Sequence, residues 1–319
     1  MSPAALVLTA GLGTRLRPLT YLRAKAAVPV NGETLARRAI RWLVANGVTD
    51  CVLNLHHHPE TITASAGDGS DLGARVRYSW EQPVLGSAGG PRHALPLLAD
   101  RPGPFLIVNG DTLTDVDLEA MARRHREAGA LVTMALIPNP RPDQYGGVAV
   151  DARGAVTGFT RAGQADRSFH FVGIQYAEAS VFADLEDGVP AESVNALYPR
   201  LIAASPGSIA AFVSEAAFQD IGTPADYLRT SAALARREGD RMVSARGVEI
   251  AASARLQGTA VWDDVGIGAD VTLVDCVVGD GARIPSGSRF ARCAIVPAAG
   301  RQPRAGEHVA DGLLMAPLD

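Results

Sequence analysis

Apolar and polar positions along the first 140 residues follow two alternating patterns. Short runs of consecutive apolar residues are typical of strands buried on both faces, and apolar residues three and four apart are typical of helices. The strand-like runs stand at 5–10, 51–55, 75–80, 105–111 and 131–137, and the helix-like segments at 34–47, 90–99 and 117–129. This alternation predicts an α/β fold with a mixed, mostly parallel sheet flanked by helices.

The pattern changes after residue 145. Residues 146–161 ("GGVAVDARGAVTGFTR") predict a β-hairpin that turns at residues 152–154. Helices are predicted at 193–204 and 223–239, the second with Thr223 as its N-cap and Pro224 at its first position. Residues 1–240 are therefore predicted to form one domain.

From about residue 247 the helical spacing ends and a shorter period begins. Apolar residues lie six apart, with one break, at Val261, Ile267, Leu273, Val278, Ile284, Phe290 and Val296. A six-residue period with glycine between the apolar positions predicts a short parallel β-helix over 247–319, of about two or three coils. Asp263 and Asp264 would then be solvent-facing corners. The alternative is a set of irregular strands that cap the main domain.

Composition narrows the class of protein. Apolar residues make up 47% of the 319 residues and charged residues 20%, and the formal net charge is −4. A chain of this kind can bury a core, and no Lys/Arg block predicts a nucleic-acid partner. The apolar N-terminus lacks a basic flank and is too short to span a membrane, so we expect a cytoplasmic protein with no membrane contact.

The segment "LTAGLGTRLRPLTYLRAK" (residues 8–25) follows the first predicted strand. Gly11 and Gly13 permit an anion-binding backbone loop, and Arg15 and Lys25 add two positive charges that suit phosphate oxygens. A dinucleotide-binding loop is one alternative, but the third glycine is missing, and a P-loop would need Gly-Lys-Ser/Thr. An ordinary tight turn is the other alternative. We interpret the loop as a polyphosphate site.

Four ordered motifs carry a family resemblance. "GLGTRLRPLTYLRAKAAVPV", "RYSWEQPVLGSAGGPRHAL", "FLIVNGDTLTD" and "QDIGTPADY" together resemble the sugar-1-phosphate nucleotidyltransferases, also called nucleoside-diphosphate-sugar pyrophosphorylases. The resemblance implies a Rossmann-like catalytic domain over 1–240 and, at 247–319, a tail similar to the left-handed β-helix of mannose-1-phosphate guanylyltransferases. It implies a Mg²⁺-dependent reaction of an NTP with a sugar 1-phosphate that releases pyrophosphate.

The resemblance also implies roles for residues that match the family motifs. Arg15 and Lys25 would contact the phosphates, and Asp111 and Asp220 would be the Mg²⁺ ligands, so that Arg15, Lys25 and Asp111 form the catalytic set. Nucleotide binding would fall to Ala10, Gly11, Leu12, Gly13, Thr14, Glu81, Gln82 and Gly86. Asn109, Gly146 and Arg161 would bind the sugar phosphate. A homo-oligomer through the β-helix is also expected.

Two positions depart from the family pattern. Ala24 stands where a proline usually precedes the lysine, and "GFTRAGQ" stands where the family has glutamate-lysine-proline, so Arg161 is the basic residue that would replace that lysine. "VLGSAGG" is similar to mannose-type guanylyltransferases, whereas the segments around "RYSWE" and "FLIVNGD" resemble N-acetylmuramate-1-phosphate uridylyltransferases. GTP and UTP are therefore the favoured nucleotides.

Other functions and sites stay open as alternatives. A catalytically silent nucleotide-sugar-binding regulator would lose the lysine or an aspartate, whereas this chain has Lys25, Asp111 and Asp220. An acyltransferase would need a longer repeat tail than this one. The "HHHPE" run at 56–60 lacks the helical H-E-x-x-H spacing of zinc sites, and we expect it to line the sugar pocket.

Overall fold

The structure is a computed structural model that describes residues 2–98, 103–164 and 168–318. The last residue of the helix predicted at 90–99 lies outside these ranges. The chain forms two compact units, one of Met1–Gly11 and Ala36–Gln219 and the other of Leu12–Leu35 and Asp220–Asp319. The second unit thus unites most of the predicted phosphate loop with the tail. A catalytic domain over 1–240 stays a prediction.

A nine-stranded sheet is the centre of the first unit. Its strands are β1 (Ala4–Leu8), β2 (Asp50–Leu55), β3 (Arg75–Trp80), β4 (Phe105–Asn109), β5 (Val132–Pro138), β6 (Gly147–Val150), β7 (Val156–Thr160), β8 (Phe169–Ala177) and β9 (Ile209–Val213). The main strand order is β3-β2-β1-β4-β8-β5-β9, and the β6–β7 hairpin joins β8. The predicted α/β class is confirmed.

Pairing in this sheet is parallel except around β8 and the hairpin. β1 lies between β2 and β4, and all three run parallel, so their carboxyl ends meet at one edge of the sheet. β8 runs antiparallel to β4 and to β5, whereas β9 runs parallel to β5. β8 and β9 were not predicted from apolar runs.

Six helices belong largely to the first unit. They are α1 (Leu35–Ala45), α2 (Pro59–Ala66), α3 (Gly86–Leu98), α4 (Leu118–Ala128), α5 (Ser180–Ala183) and α6 (Tyr198–Ala204), with a π-helical turn at Ser193–Leu197 and a 3₁₀ turn at Ser70–Leu72. α3 begins four residues before its predicted start. α4 begins where expected, because the Asp117 side chain accepts a hydrogen bond of 2.9 Å from Ala120 N–H.

The core of the first unit forms between the sheet and its helices. Leu6, Ile107 and Met134 contribute from three strands, and Phe182 and Tyr198 from helices. Each is almost fully buried. The short strands Thr112–Thr114 and Phe218–Asp220 lie outside the nine-stranded sheet.

The second unit begins with an irregular segment at residues 12–35. Three 3₁₀ turns, Thr14–Leu16, Leu19–Tyr21 and Lys25–Ala27, precede a small antiparallel pair, Pro29–Val30 and Glu33–Thr34. The long helix α7 (Pro224–Glu238) follows the chain's return at residue 220. Its N-terminus has the predicted cap: Thr223 and Asp226 exchange hydrogen bonds in a capping box, and Pro224 occupies the first turn.

The tail of the second unit is a parallel β-helix. Its three strand stacks are Glu249–Ile250, Gly266–Ile267 and Arg283–Ile284; Arg255–Gln257, Thr272–Val274 and Arg289–Ala291; and Ala260–Val261, Val277–Val278 and Cys293–Pro297. Antiparallel strands Leu313–Pro317 and His308–Ala310 extend the third stack. The β-helix prediction is confirmed.

The coil length explains the break in the apolar period. Ile250 pairs with Ile267, and Ile267 with Ile284, so one coil spans 17 residues rather than three full steps of six. One side of each coil is therefore a residue short. As a consequence Ile295, and not the predicted Val296, is the residue in register with Val278.

Two residues at one corner of the β-helix differ in exposure. Asp264 is exposed, as predicted. Asp263 is not the solvent-facing corner that the sequence suggested, because its carboxylate forms an ion pair with Arg23 and its side chain is only 18% exposed. Within the described residues, no helix is long and apolar enough to cross a membrane.

Candidate active site

Gly13 sets the path of the phosphate loop in the second unit. Its φ of 57° is left-handed, and its carbonyl accepts hydrogen bonds from Leu16 N–H and from the Thr20 hydroxyl, at 3.0 and 2.9 Å. A Cβ at this position would lie 2.8 Å from Thr20 Cγ2 and 3.2 Å from Lys25 Cβ. Glycine therefore lets the loop fold closely over the start of the Lys25 turn.

We expect Gly13→Ala to lower the free energy of unfolding by about 1–3 kcal/mol, because alanine disfavours a left-handed φ and its methyl group would displace Thr20. Urea unfolding of both proteins measures the loss. Gly11→Ala is the matched control, since a Cβ there meets nothing within 4 Å. Equal losses in the two variants would contradict this role for Gly13.

Lys25 is the only lysine in the chain. It begins the Lys25–Ala27 turn, directly after Ala24, which is fully buried and stands where the family motif has proline. The Lys25 ammonium lies 4.0 Å from Asp220 Oδ1, and the two side chains are 13% and 20% exposed. The structure thus brings together two of the four residues predicted to handle phosphate and metal.

Arg15 converges on the same place. A Cβ at Gly222 would lie 3.1 Å from Arg15 Nη1, 3.2 Å from Asp220 Oδ2 and 3.3 Å from Asp226 Oδ2. Gly222 therefore leaves room for these side chains to approach one another. Arg15 is an exposed residue, as are Leu12 and Thr14 of the same loop. The second unit therefore offers a guanidinium, an ammonium and, besides the helix-capping Asp226, the carboxylate of Asp220.

The first unit holds predicted residues at the carboxyl ends of β1, β3 and β4. Asn54, which belongs to β2, accepts hydrogen bonds from the backbone N–H groups of Thr9 and Ala10, at 2.6 and 3.3 Å. Its amide nitrogen donates to Glu81 Oε1 at 2.7 Å. Asn54 was not predicted, because an amide inside an apolar run gives no periodic signal.

Glu81 and Ala10 are buried in this network. Glu81 Oε2 accepts from Leu85 N–H at 2.8 Å, so both carboxylate oxygens are bound within the protein. Its residue exposure is 3%. We therefore expect Glu81 to fix the segment before α3. Gln82 is exposed there, and Gly86 begins α3 with a φ of 77°.

Asn109 and Asp111 stand at the end of β4. Gly110 passes close to β1: its N–H donates to the Leu8 carbonyl at 3.0 Å, and a Cβ would lie 2.7 Å from that oxygen. Gly173, on the neighbouring β8, leaves space for the Asn109 side chain, because a Cβ there would lie 2.6 Å from its amide nitrogen. Asp111 is partly exposed directly beyond the strand.

The predicted sugar-phosphate residues Gly146 and Arg161 flank the β6–β7 hairpin, and both are exposed. Next to Gly146, the rings of Tyr145, His170 and Phe218 form an aromatic cluster with centroid separations of 4.4, 4.7 and 6.1 Å. This cluster was not predicted from the sequence. His170 lies on β8, whose apolar pattern is interrupted by polar residues and glycine.

His170 is neutral over most of the accessible pH range. Burial, and then the charge of Arg141, lower the pKa of His170 from 6.5 to about 4. Arg141 itself lies over the Tyr145 ring, 4.8 Å from the centroid. Nδ1 of His170 is buried and has no hydrogen-bond partner among the residues that the structure describes.

Between pH 6.5 and 4 the unfolded chain protonates this histidine and the folded chain does not, so the free energy of unfolding should fall as the pH falls through that window. We expect His170→Phe to reduce the fall between pH 7 and pH 5 by on the order of 1 kcal/mol. Chemical denaturation at the two pH values measures it. Identical pH dependence in wild type and variant would contradict the assignment.

The three histidines at 56–58 make the connection between β2 and α2. His56 Nδ1 lies 2.9 Å from the Glu81 carbonyl oxygen, and His58 Nδ1 lies 3.2 Å from Glu60. His58 has a left-handed φ of 46° and precedes Pro59, which opens α2. Over the described part of the chain, no three His, Cys, Asp or Glu residues are grouped as metal ligands.

Comparison with known proteins identifies the family. The family model described as Nucleotidyl transferase matches residues 4–237. The chain belongs to this family. The match extends from β1 and the Arg15–Lys25 loop to α7 of the nucleotidyl transferase.

Individual relatives share most of its length. A mannose-1-phosphate guanylyltransferase of Mycobacterium tuberculosis is 29% identical over 294 residues, which cover 89% of this chain and 81% of that protein. A UTP–glucose-1-phosphate uridylyltransferase of Synechocystis is 26% identical over 88% of this chain and 76% of that protein. The crystal structure of HddC from Yersinia pseudotuberculosis, complexed with GMP-PN, matches the fold with a TM-score of 0.64. It is 22% identical, and the match covers 73% of this chain and 99% of that one.

Proposed function

We propose that this nucleotidyltransferase joins an NTP to a sugar 1-phosphate, with release of pyrophosphate. The observation that carries the proposal is the convergence of Arg15 and Lys25 on Asp220, beside Gly222. Two cations beside one carboxylate suit a polyphosphate with a bound metal ion. The names of the relatives support the same reaction class.

The proposed reaction is a displacement at the α-phosphorus of the NTP. An oxygen of the sugar phosphate forms the new P–O bond, and the bond to pyrophosphate breaks. The attacking phosphate is already ionised at neutral pH, so the protein needs no general base. Its task is to hold two polyanions together and neutralise their charge, which is the role we assign to Arg15 and Lys25.

We propose Mg²⁺ as the cofactor, held by Asp111 and Asp220. Mg²⁺ is usually bound by one or two carboxylates together with phosphate oxygens, so a site of this kind needs no cluster of protein ligands. Both aspartates are partly exposed, and Asp220 is accompanied by the Lys25 charge that a phosphate would also meet. When bound, the ion would neutralise charge on the phosphates.

GTP with mannose 1-phosphate is the substrate pair we favour, and UTP with glucose 1-phosphate is the second. The names of the Mycobacterium tuberculosis and Synechocystis relatives support the two pairs in turn. Gln82, exposed at the start of the nucleobase segment, is the residue that we propose reads the base. We further propose that the protein acts in the cytoplasm and self-associates through its β-helix.

A screen of pyrophosphate release tests the function. Each of GTP, UTP, ATP and dTTP is paired with mannose, glucose and N-acetylmuramate 1-phosphates in the presence of Mg²⁺. We expect release that requires both substrates, with GTP or UTP preferred. A chain that binds nucleotide sugar tightly and releases no pyrophosphate with any pair would be the regulatory paralogue instead.

A further inference from the structure

We propose that the β-helix positions Lys25, through an ionic anchor formed by Arg23 with Asp263 and Asp280. Arg23 lies two residues before Lys25, and the two aspartates lie on successive coils of the β-helix. The sequence predicted the tail as a separate β-helix at 247–319. According to this proposal, the tail sets the geometry of the phosphate loop. The kinetic part of this proposal rests on the function proposed above.

The geometry of the anchor is that of a strong ion pair. Arg23 binds Asp280 through two parallel hydrogen bonds, Nε to Oδ2 and Nη2 to Oδ1, both of 2.6 Å. Nη2 also donates to Asp263 Oδ2 at 2.7 Å. The three side chains are 17%, 25% and 18% exposed. Two-point arginine–carboxylate contacts fix direction as well as distance, and partial burial protects them from screening.

The surroundings of Arg23 and Asp263 favour their charged forms. Burial by itself lowers the pKa of the Arg23 guanidinium, but the hydrogen bonds and charges of Asp280 and Asp263 outweigh burial, and the net pKa is raised. Burial raises the pKa of Asp263, but hydrogen bonds from Ser244 and Arg23 outweigh it, and the net pKa is lowered. Arg23 and Asp263 therefore stay ionised near neutral pH.

The two aspartates are themselves held in place. They occupy the same corner of consecutive coils, 17 residues apart, and Asp263 N–H donates to Asp280 Oδ1 at 3.0 Å. The Ser244 hydroxyl donates to Asp263 Oδ1 at 2.5 Å. The ring of Trp262, the residue before Asp263, lies 5.5 Å from the Arg23 guanidinium. Arg23 thus meets a preorganised acceptor rather than mobile surface carboxylates.

The residues just before Arg23 contact the β-helix as well. A Cβ at Gly279 would lie 2.6 Å from Leu22 Cδ1, so this glycine admits the leucine side chain. The Tyr21 carbonyl accepts a hydrogen bond of 3.4 Å from Arg301, whose guanidinium lies 5.0 Å from the Tyr21 ring centroid. Residues 21–23 therefore form one continuous contact with the tail.

A second tie holds the chain on the other side of Lys25. The Pro29 carbonyl accepts a hydrogen bond of 2.7 Å from the Tyr227 hydroxyl, which in turn accepts one of 2.8 Å from Trp262 Nε1. Trp262 is 1% exposed and belongs to the β-helix. Because the chain is fastened at Arg23 and at Pro29, Lys25 is placed by contacts that touch no substrate. Arg23 is therefore a positioning residue.

The test compares Arg23→Gln and Asp280→Asn with wild type in the full-length protein. Because Lys25 is the only lysine, formaldehyde with a borohydride reductant labels one side-chain amine, and mass spectrometry follows its rate in the apoprotein. We expect both variants to change that rate at least about threefold and to lower kcat about tenfold, with a smaller change in KM for the NTP. Asp280→Glu, which keeps the carboxylate, should retain part of the wild-type labelling rate and kcat that Asp280→Asn loses.

Arg77→Gln is the matched control. It removes a partly buried ion pair of 2.8 Å with Asp50 in the first unit, and Arg77 has no role in the proposed site. It should lower the melting temperature and leave Lys25 labelling and kcat within about twofold of wild type. If Arg23→Gln does not fold, Asp280→Asn, which keeps the side-chain shape, decides the matter.

Unchanged Lys25 labelling and kcat in folded anchor variants would overturn the proposal. Altered labelling with unchanged kcat would overturn the catalytic part of the proposal, since the anchor would then hold Lys25 without affecting turnover. If wild type has no nucleotidyltransferase activity, the proposed function fails. The labelling arm would still report whether the anchor holds Lys25.

Discussion

Lys25→Met is expected to lower kcat by about 10²–10³-fold while changing KM for the NTP much less. The reason is that Lys25 would neutralise charge that develops as the phosphates react, and methionine keeps the length of the side chain without the charge. The ammonium is held beside Asp220 in a partly buried setting, where a charge acts more strongly than in water. Steady-state kinetics with the best substrate pair measure the effect.

Lys25→Arg and one control complete this experiment. Arginine should restore only part of the rate, because a planar guanidinium does not replace a compact ammonium. Arg283→Gln, an arginine on the β-helix whose side chain contacts backbone carbonyls, should leave kcat within about twofold of wild type. An unaltered kcat in Lys25→Met would remove Lys25 from the catalytic set.

Asp111→Asn and Asp220→Asn are each expected to reduce turnover by at least about 10²-fold, because each removes one of two carboxylates proposed to hold Mg²⁺. Asparagine keeps the shape of the side chain, so circular dichroism should show an intact fold. Kinetics are measured over a range of Mg²⁺ concentrations.

Asp117→Asn is the matched control for these two variants. Asp117 caps α4, and asparagine caps helices about as well as aspartate, so this variant should keep its activity. Full activity of Asp111→Asn or Asp220→Asn at saturating Mg²⁺ would contradict the metal assignment. Asp220→Asn should in addition change Lys25 labelling, since the two groups face each other.

The parts of the fold that the sequence predicted are those with local signals. β1 is an uninterrupted apolar run, and α7 begins at a capping box formed by Thr223 and Asp226. β8 carries no such signal, because Gly173 and polar residues interrupt its pattern while it pairs with strands on both sides. α3 begins at Gly86 although its glycines have low helix propensity, so tertiary packing determines where this helix starts.

The candidate site divides in the same way. Arg15, Lys25 and Asp220 stand in motifs, and the structure brings the two basic residues to Asp220. In the anchor, Arg23 is separated along the chain from Asp263 by 240 positions and from Asp280 by 257. Nothing local in the sequence indicates which arginine contacts which aspartate. Asn54 and Glu81 likewise acquire their partners only when parallel strands align. Long-range pairing of polar groups is what the pattern of residues does not contain.

The position of phosphorus attack tests the central claim most directly. GTP labelled with ³²P at the α-position, and separately at the γ-position, is incubated with mannose 1-phosphate, Mg²⁺ and wild-type protein, and the experiment is repeated with UTP and glucose 1-phosphate. The account predicts that the α-label enters the nucleotide sugar and the γ-label enters pyrophosphate, in equal amounts and only when the sugar phosphate is present. Release of the γ-label as inorganic phosphate, or its transfer to the sugar phosphate, would contradict it.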